Sequence, residues 1–297
     1  MSGCDVSIIL AAYNEEACIA DELNIIKQAM DNSSFTYEVI VVDDASTDRT
    51  AQIVKGFSWV KLIQNHRNRG AGGARKTGTL AAKGNIIVWS DVDMSYPNQE
   101  IPNLVKMLTE KGYDQVIGAR KSEKGTLKLL RAPAKYIIRK LACFLSKTYI
   151  PDLNSGLRAF KREIVSKYLY LLPEGFSCVS TVTLAFLCNG YDVGYMPIDY
   201  RKRIGKSKFH PVRDTYAYFI QVIRMITYFS PLRVFLPISL FLFSVGIVSA
   251  VINIFSSGGL QQMDVIIILF AVMIGAIGLL ADSIVIQHKK ETRDEPV

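Results

Sequence analysis

The 297-residue chain predicts an α/β fold with a mainly parallel sheet, followed by a pair of membrane-spanning helices. Three observations carry that expectation. Over the first 120 residues short β-branched runs alternate with amphipathic segments, the pattern of βαβ units. The mean hydropathy of +0.20 is high for a soluble protein. The residues that raise it are concentrated in Val234–Phe255, 22 residues without a charge, and Val265–Ala281, which extends to Ile286 across one Asp. A membrane-spanning helix needs about 20 mostly apolar residues.

In chain order, Val6–Ala12 has the pattern of a buried strand, and Cys18–Met30 has helical spacing through Ile19, Leu23, Ile26 and Met30. Glu38–Val42, Val60–Gln64, Ile86–Ser90 and Gln115–Gly118 read as further strands. Thr50–Gly56, Ala71–Ala82 and Ile101–Lys111 read as the helices between them. Open sheets of this kind bind ligands beyond the carboxyl ends of their strands.

Residues 126–148 join an apolar stripe (Leu127, Leu130, Ala134, Ile137, Leu141, Leu145) to the cations Lys128, Arg131, Lys135, Arg139 and Lys140, which suits a helix lying on a membrane surface. Residues 212–228 carry a similar mixture and lead into the first apolar span. Arg224 and Arg233 precede the spans, Lys289, Lys290 and Arg293 follow them, and the loop at 256–264 has no Lys or Arg. The positive-inside rule then predicts a hairpin with both ends cytoplasmic. The expected organisation is a cytoplasmic domain at 1–211, a juxtamembrane helix at 212–232, a transmembrane hairpin at 233–287 (spans 233–255 and 265–287) and a cytoplasmic tail at 288–297.

The net charge of +8 is concentrated in two places. Nine Lys/Arg lie against one acid between Arg120 and Lys147, and seven against one between Arg201 and Arg224. Such segments suit lipid headgroups or phosphorylated substrates. No helix-turn-helix, zinc-finger or RNA-binding signature accompanies the charge, so a nucleic-acid partner is not expected. Five cysteines without a CxxC pair read as reduced thiols, and no signal peptide is expected.

Three motifs carry chemistry. Tyr13-Asn14-Glu15 and Asp43-Asp44 follow buried strands, where an aromatic ring can stack on a base and carboxylates can accept from a base or ribose; Asp48 reads as a cap or turn residue. Asn68–Gly78, NRGAGGARKTG, is glycine-rich and opens a helix whose amides could approach a phosphate. It is neither a Walker motif nor a first-strand dinucleotide fingerprint. Asp91 and Asp93 end an apolar strand with one residue between them, so on extended chain both point one way and can meet one cation. Oxygen-only ligands select Mg²⁺ or Mn²⁺.

In this order, VSIILAAYNE (6–15), VVDDASTD (41–48), SDVD (90–93), VIGAR (116–120), DLNSGLRAFKRE (152–163) and RIGKSK (203–208) resemble family 2 glycosyltransferases of the GT-A fold, and among them the polyprenyl-phosphate hexosyltransferases. The resemblance covers roughly residues 5–215. It implies that Ala11, Tyr13, Glu15, Asp43, Asp44, Asp91 and Arg120 face the nucleotide sugar and that Asp91 and Asp93 hold the metal. It further implies that Arg120, Arg203, Ser207 and Lys208 contact diphosphate and acceptor phosphate, with Asp152 near the reacting centre. Ala11 stands where the family commonly has Pro. Ser95 stands where many members have Gln, which puts a third protein ligand to the metal in doubt. Residues 221–225, QVIRM, match the Q-x-x-R-W of processive synthases only in part.

The implied reaction is inverting, metal-dependent transfer of a hexose from a UDP- or GDP-sugar to a polyprenyl phosphate at the cytoplasmic membrane face, with homo-oligomerisation left open. A lipid phosphate is already anionic, so Asp152 need not be a strong base. Two other readings fit the residues: a membrane-bound family 2 transferase with another lipid or glycan acceptor, and a nucleotide-sugar-binding scaffold without turnover. The intact DxD, Arg120 and R-x-G-x-S-K argue against the scaffold.

Overall fold

The computed structural model describes residues 4–121, 140, 142–143, 147–175, 177–204, 220–221, 223–224 and 227–294. The chain divides into two compact units, 1–222 and 223–297.

The first unit is built on seven strands: β1 Val6–Ala12, β2 Tyr37–Asp43, β3 Val60–Gln64, β4 Ile86–Asp91, β5 Gln115–Arg120, β6 Arg158–Lys161 and β7 Val193–Ile198. Their order in the sheet is β3-β2-β1-β4-β6-β5-β7. The first four strands pair in parallel, as do β5 and β7, while β6 runs antiparallel between β4 and β5. The helices are α1 Ile19–Asp31, α2 Thr50–Lys55, α3 Gly70–Leu80, α4 Ile101–Glu110, α5 Arg162–Ser166 and α6 Cys178–Cys188.

Successive residues of a strand face opposite sides of a sheet, and in β1 they divide between two cores. Val6, Ile8 and Leu10 join Ile19, Leu23, Ile26, Leu104 and Val105 from α1 and α4. Ile9 joins Ile40, Trp89, Phe160, Val182 and Phe186 on the other face. Burial on both faces explains why these strands read as continuous apolar runs. The strands β6 and β7 do not follow from those runs. RAFK carries two cations, and VGYMPI contains Gly and Pro, residues that strands usually avoid.

The second unit holds α7 Leu232–Ser257 and α8 Gln262–Asp294. The 26 residues of α7 span about 39 Å at ~1.5 Å per residue, more than the ~30 Å of a bilayer's hydrocarbon core. Gly258, at φ 73°, ends α7 in the left-handed conformation. The expected loop at 256–264 and the tail from 288 are both shortened, because α8 begins at Gln262 and continues to Asp294. Asp264 is the reason at the near end. Set in the first turn of α8, where a carboxylate is favoured, it accepts from Ser249 Oγ at 2.6 Å, Asn253 Nδ2 at 3.0 Å and the Gln261 amide at 3.0 Å. Ser239 Oγ donates to the Ala271 carbonyl at 2.8 Å, a second tie between the helices.

Candidate active site

Because β6 is reversed, its first residue and the last residues of β1, β2, β4, β5 and β7 lie along one edge of the sheet. The loops after β1 and β2 are fastened to each other there. The Asp44 amide donates to the Ala12 carbonyl at 2.8 Å, the Asn14 amide to Ser46 Oγ at 2.9 Å, and the Thr47 amide to Asn14 Oδ1 at 2.8 Å. Asp43 is buried and accepts from the Ser46 amide and Gln64 Nε2, and Asp44 from Asn65 Nδ2 and the Arg69 amide. Both carboxylates thus hold the loops that surround them. Tyr13 and Glu15 stand on the same edge, and Ala11 lies in register beside Asp91. Asp48 accepts from the Thr50 amide in the turn before α2, whose N-cap is Arg49, so of the two expected roles it takes that of a turn residue.

Asp91 ends β4, and Asp93 lies beyond it in a loop where Met94 takes a φ of 60°. Strand alternation therefore stops short of Asp93, and the loop determines where that carboxylate points. Asp93 accepts from Ser95 Oγ and lies 3.1 Å from Arg203 Nη2; the same guanidinium nitrogen is 3.9 Å from Glu15 Oε1. Burial first, and then the negative charge of Asp91, push the Asp93 carboxyl above its ordinary value. Asp91 Oδ1 meets Arg75 Nη2 at 2.5 Å. A Cβ on Gly156 would stand 2.7 Å from Asp91 Oδ2, so only glycine leaves that carboxylate its room. Among the described residues no group of three or more His, Cys, Asp and Glu forms a metal cage. Two neighbouring carboxylates are the set with which Mg²⁺ is commonly held when substrate phosphates and water complete its shell.

Arg120 and Asp152 are joined by two hydrogen bonds, from Nε at 2.7 Å and Nη2 at 2.8 Å, and both side chains are about nine-tenths buried. Burial alone would raise the Asp152 carboxyl, but the hydrogen bonds and charge of Arg120 outweigh it and hold it below the ordinary range. The guanidinium of Arg120 also lies over the Tyr200 ring at 5.3 Å. Backbone bonds from the Arg201 amide to the Ser95 carbonyl and from the Ile204 amide to the Asp93 carbonyl lay the Arg203 segment along the DxD loop. Ser207 and Lys208, and nearly all of the helices expected at 126–148 and 212–228, lie outside the described residues.

One expectation is corrected. The amides that open α3 do not serve as a phosphate cradle, because those of Gly72 and Gly73 donate to the Glu174 carbonyl at 2.8 and 3.1 Å and that of Gly70 to Asn68 Oδ1. The glycines are there for packing. A Cβ on Gly72 would fall 2.0 Å from the Pro173 carbonyl oxygen.

Four residues of the site escape a motif reading. Arg75 is buried against Asp91 and over Trp89. Arg158, fully buried and pushed down to about 10 by burial and by Arg75, ties the Ser155 carbonyl to Val179 and Thr183 of α6. Tyr96 Oη accepts from the Gly156 amide at 2.7 Å. Glu22, buried on α1, is pushed up to about 7 by burial. The signal for Arg75 and Arg158 was a cation bordering a run of small or apolar residues, GAGGA before Arg75 and AF after Arg158. Ser155 Oγ, Arg75 Nε and Arg203 Nε are buried with no hydrogen-bond partner among the described residues.

Comparison with known proteins agrees with this architecture. Residues 7–169 match glycosyl transferase family 2, and residues 230–285 match the GtrB C-terminal hairpin. A dolichyl-phosphate hexose transferase of Haloferax volcanii is 29% identical over 70% of this chain and 87% of its own length. An undecaprenyl-phosphate 4-deoxy-4-formamido-L-arabinose transferase of Pseudomonas fluorescens is 30% identical over 84% of this chain and 73% of its own. The match to its Shewanella sediminis counterpart spans about half of that protein, 55%. Glucosyl-3-phosphoglycerate synthase of Mycobacterium tuberculosis, solved with Mn²⁺, UDP and phosphoglyceric acid, shares the GT-A fold at a TM-score of 0.58 and 23% identity, over 76% of this chain and 78% of that one. The chain belongs to glycosyl transferase family 2: it is a glycosyltransferase of the GT-A fold with a C-terminal two-helix hairpin.

Proposed function

We propose that the protein transfers a hexose from a nucleotide-diphosphate sugar to the phosphate of a polyprenyl lipid, inverting the anomeric centre, at the cytoplasmic face of a membrane. The observation that carries this reading is the meeting of Asp91, Asp93, Arg203 and the Arg120–Asp152 pair on one sheet edge, in a chain that ends in two helices apolar and long enough to cross a bilayer. Relatives named for dolichyl-phosphate and undecaprenyl-phosphate transfer support the acceptor. The fold neighbour holding UDP and Mn²⁺ supports a nucleotide donor and a divalent cation.

In this reading Ala11, Tyr13, Glu15, Asp43 and Asp44 border the nucleoside, and Asp91 and Asp93 hold Mg²⁺ or Mn²⁺. The cation supplies neutralisation of the charge that develops on the leaving diphosphate. Arg75 fixes Asp91 so that it presents a single orientation. Arg203, with Ser207 and Lys208 of its motif, takes the acceptor phosphate and aims it in line with the leaving group. Asp152, kept ionised by Arg120, orients that arginine towards the diphosphate; it is a weak base, and a phosphate nucleophile needs none. The domain at 1–211 and both termini are cytoplasmic, the segments at 126–148 and 212–232 lie at the interface, and 233–287 spans the bilayer.

The test is a panel of labelled UDP- and GDP-hexoses offered to the full-length protein in nanodiscs, with undecaprenyl or dolichyl phosphate as acceptor. The expected result is one donor turned over to lipid-linked sugar, activity abolished by EDTA, and an Asp93→Ala variant that folds but is inactive. Release of nucleotide diphosphate without a polyprenyl phosphate, or full activity of Asp93→Ala in excess EDTA, would overturn it.

A further inference from the structure

The buried face of α1 is apolar through Ile19, Leu23, Ile26 and Met30, and one carboxylate interrupts it. Glu22 is 1% exposed. Its Oε1 accepts the Met94 amide at 2.8 Å and its Oε2 accepts Asn98 Nδ2 at 2.6 Å. Asn98, equally buried, extends the chain of bonds: Nδ2 also donates to the Asp91 carbonyl at 3.3 Å, and Oδ1 accepts from Ser90 Oγ at 2.5 Å. One acid on α1 thereby grips the last two residues of β4 and the residue that follows Asp93.

Met94 is the position that needs a grip. A residue other than glycine in the left-handed region costs about 1 kcal/mol or more, and it persists only where its surroundings hold it there. As a device for stability alone, Glu22 is poorly chosen. Among the described residues no lysine or arginine pairs with it, and the charges that face it are those of Asp93 and Asp91. Burying a carboxylate beside two others is costly, and an apolar side chain would continue the stripe without that cost.

We propose that Glu22 is a positioning residue for the DxD loop: by bonding the Met94 amide and Asn98 together, it holds Asp91 and Asp93 in the mutual geometry that one divalent cation requires. This rests on the reading of those two aspartates as the metal carboxylates. Glu22 itself touches neither substrate nor cation.

The test pairs Glu22→Gln with the exchanged double variant Glu22→Gln/Asn98→Asp in the full-length protein. The single change sets two amide donors against each other; the double change restores a donor facing an acceptor between 22 and 98, but not the donation from Asn98 to the Asp91 carbonyl. Two quantities are measured without turnover: amide hydrogen exchange over residues 92–98, and binding of Mn²⁺ alone by electron paramagnetic resonance. Glu22→Gln should speed exchange in 92–98 and weaken Mn²⁺ binding by about tenfold each, the scale of one charge-assisted hydrogen bond. Exchange in β1–β3 should stay unchanged, and the double variant, which remakes the contact between 22 and 98 without the bond to the Asp91 carbonyl, should recover part of both quantities. Unchanged exchange in 92–98, faster exchange with Mn²⁺ affinity intact, or a double variant that recovers neither would overturn the proposal. If Glu22→Gln unfolds, Asn98→Ala, which keeps the Met94 bond but cuts the link to Asp91, must show the same two effects. A wild-type protein that binds no Mn²⁺ would count against the metal reading, and exchange alone would then decide whether the clamp exists.

Discussion

Arg120 and Asp152 face each other as fork and carboxylate, Nε to Oδ2 at 2.7 Å and Nη2 to Oδ1 at 2.8 Å, with the Arg120 amide a third donor to Oδ2 at 3.2 Å. Such paired bonds fix a guanidinium in orientation as well as in place. Arg120 comes from β5 and Asp152 from the stretch before β6, so the pair joins the two ends of the excursion between those strands.

The pair has a pH signature. The Asp152 carboxyl is held below its ordinary 3.8, so its contribution to stability is complete above that value and is lost as pH falls through the depressed one. Asp152→Asn should cost about 3 kcal/mol at neutral pH, since it removes the charge that the two guanidinium bonds of Arg120 meet in a buried setting. Chemical unfolding of both proteins from pH 7 down to about pH 2 should show the difference shrinking at the acid end. A difference constant across the range would assign the cost to something other than the ion pair.

Arg203 lies close to Asp93 and Glu15, where the shape of its side chain matters. Surface attraction to anionic lipid treats Arg and Lys alike, whereas a positioned phosphate clamp distinguishes a planar fork from a point charge. Arg203→Lys should lose about tenfold in kcat/KM for polyprenyl phosphate, ~1.4 kcal/mol of transition-state stabilisation, with membrane association unchanged. Kinetics equal to wild type would return the residue to a generic electrostatic role.

Gly72 supports α3 by having no side chain. Gly72→Ala drives a Cβ to within 2.0 Å of the Pro173 carbonyl oxygen, a backbone atom that cannot swing away. The expected loss is at least about 2 kcal/mol, from overpacking. Gly175→Ala is the control: among the described residues nothing lies within 4 Å of its Cβ, and its effect should stay within about 0.5 kcal/mol. Equal thermal midpoints for the two variants would contradict the packing role.

The proposed orientation places the turn between α7 and α8 outside the cytoplasm. Leu260 is exposed in that turn, and in a background without the native cysteines Leu260→Cys should be labelled by an impermeant maleimide in intact cells. Labelling only in sealed inverted vesicles would reverse the assignment.

Much of the frame was legible because burial on both faces writes strands as apolar runs: β1, β2, β4 and β5 fall where those runs lie, while the edge strand β3 falls on a mixed run, VKLIQ. What stayed hidden depends on partners distant in the chain. Arg158 hides the strand in RAFK until α6 supplies the Val179 carbonyl and the Thr183 hydroxyl for its guanidinium. The glycines of α3 suggest phosphate because nothing near them in sequence reveals that Glu174 takes their amides. Glu22 stands at helical spacing from Ile19 and Ile26, where a carboxylate on an apolar stripe is the visible sign of a buried contact. The two aspartates of the DxD were plain, but their geometry was not, because β4 ends at Asp91 and leaves Asp93 in the loop that follows, an ending no residue type announces.

The reversal of β6 has a consequence for how such a protein can diverge. The 37 residues between Arg120 and Arg158 leave the sheet and return to it at one edge, because β5 ends where β6 begins. A segment with both feet on the same sill can be lengthened, shortened or exchanged without shifting any strand register. Its last stretch is the exception: Asp152 is bound to Arg120 and Gly156 lies against Tyr96 and Asp91, so exchange without loss of the site is confined to what precedes Asp152.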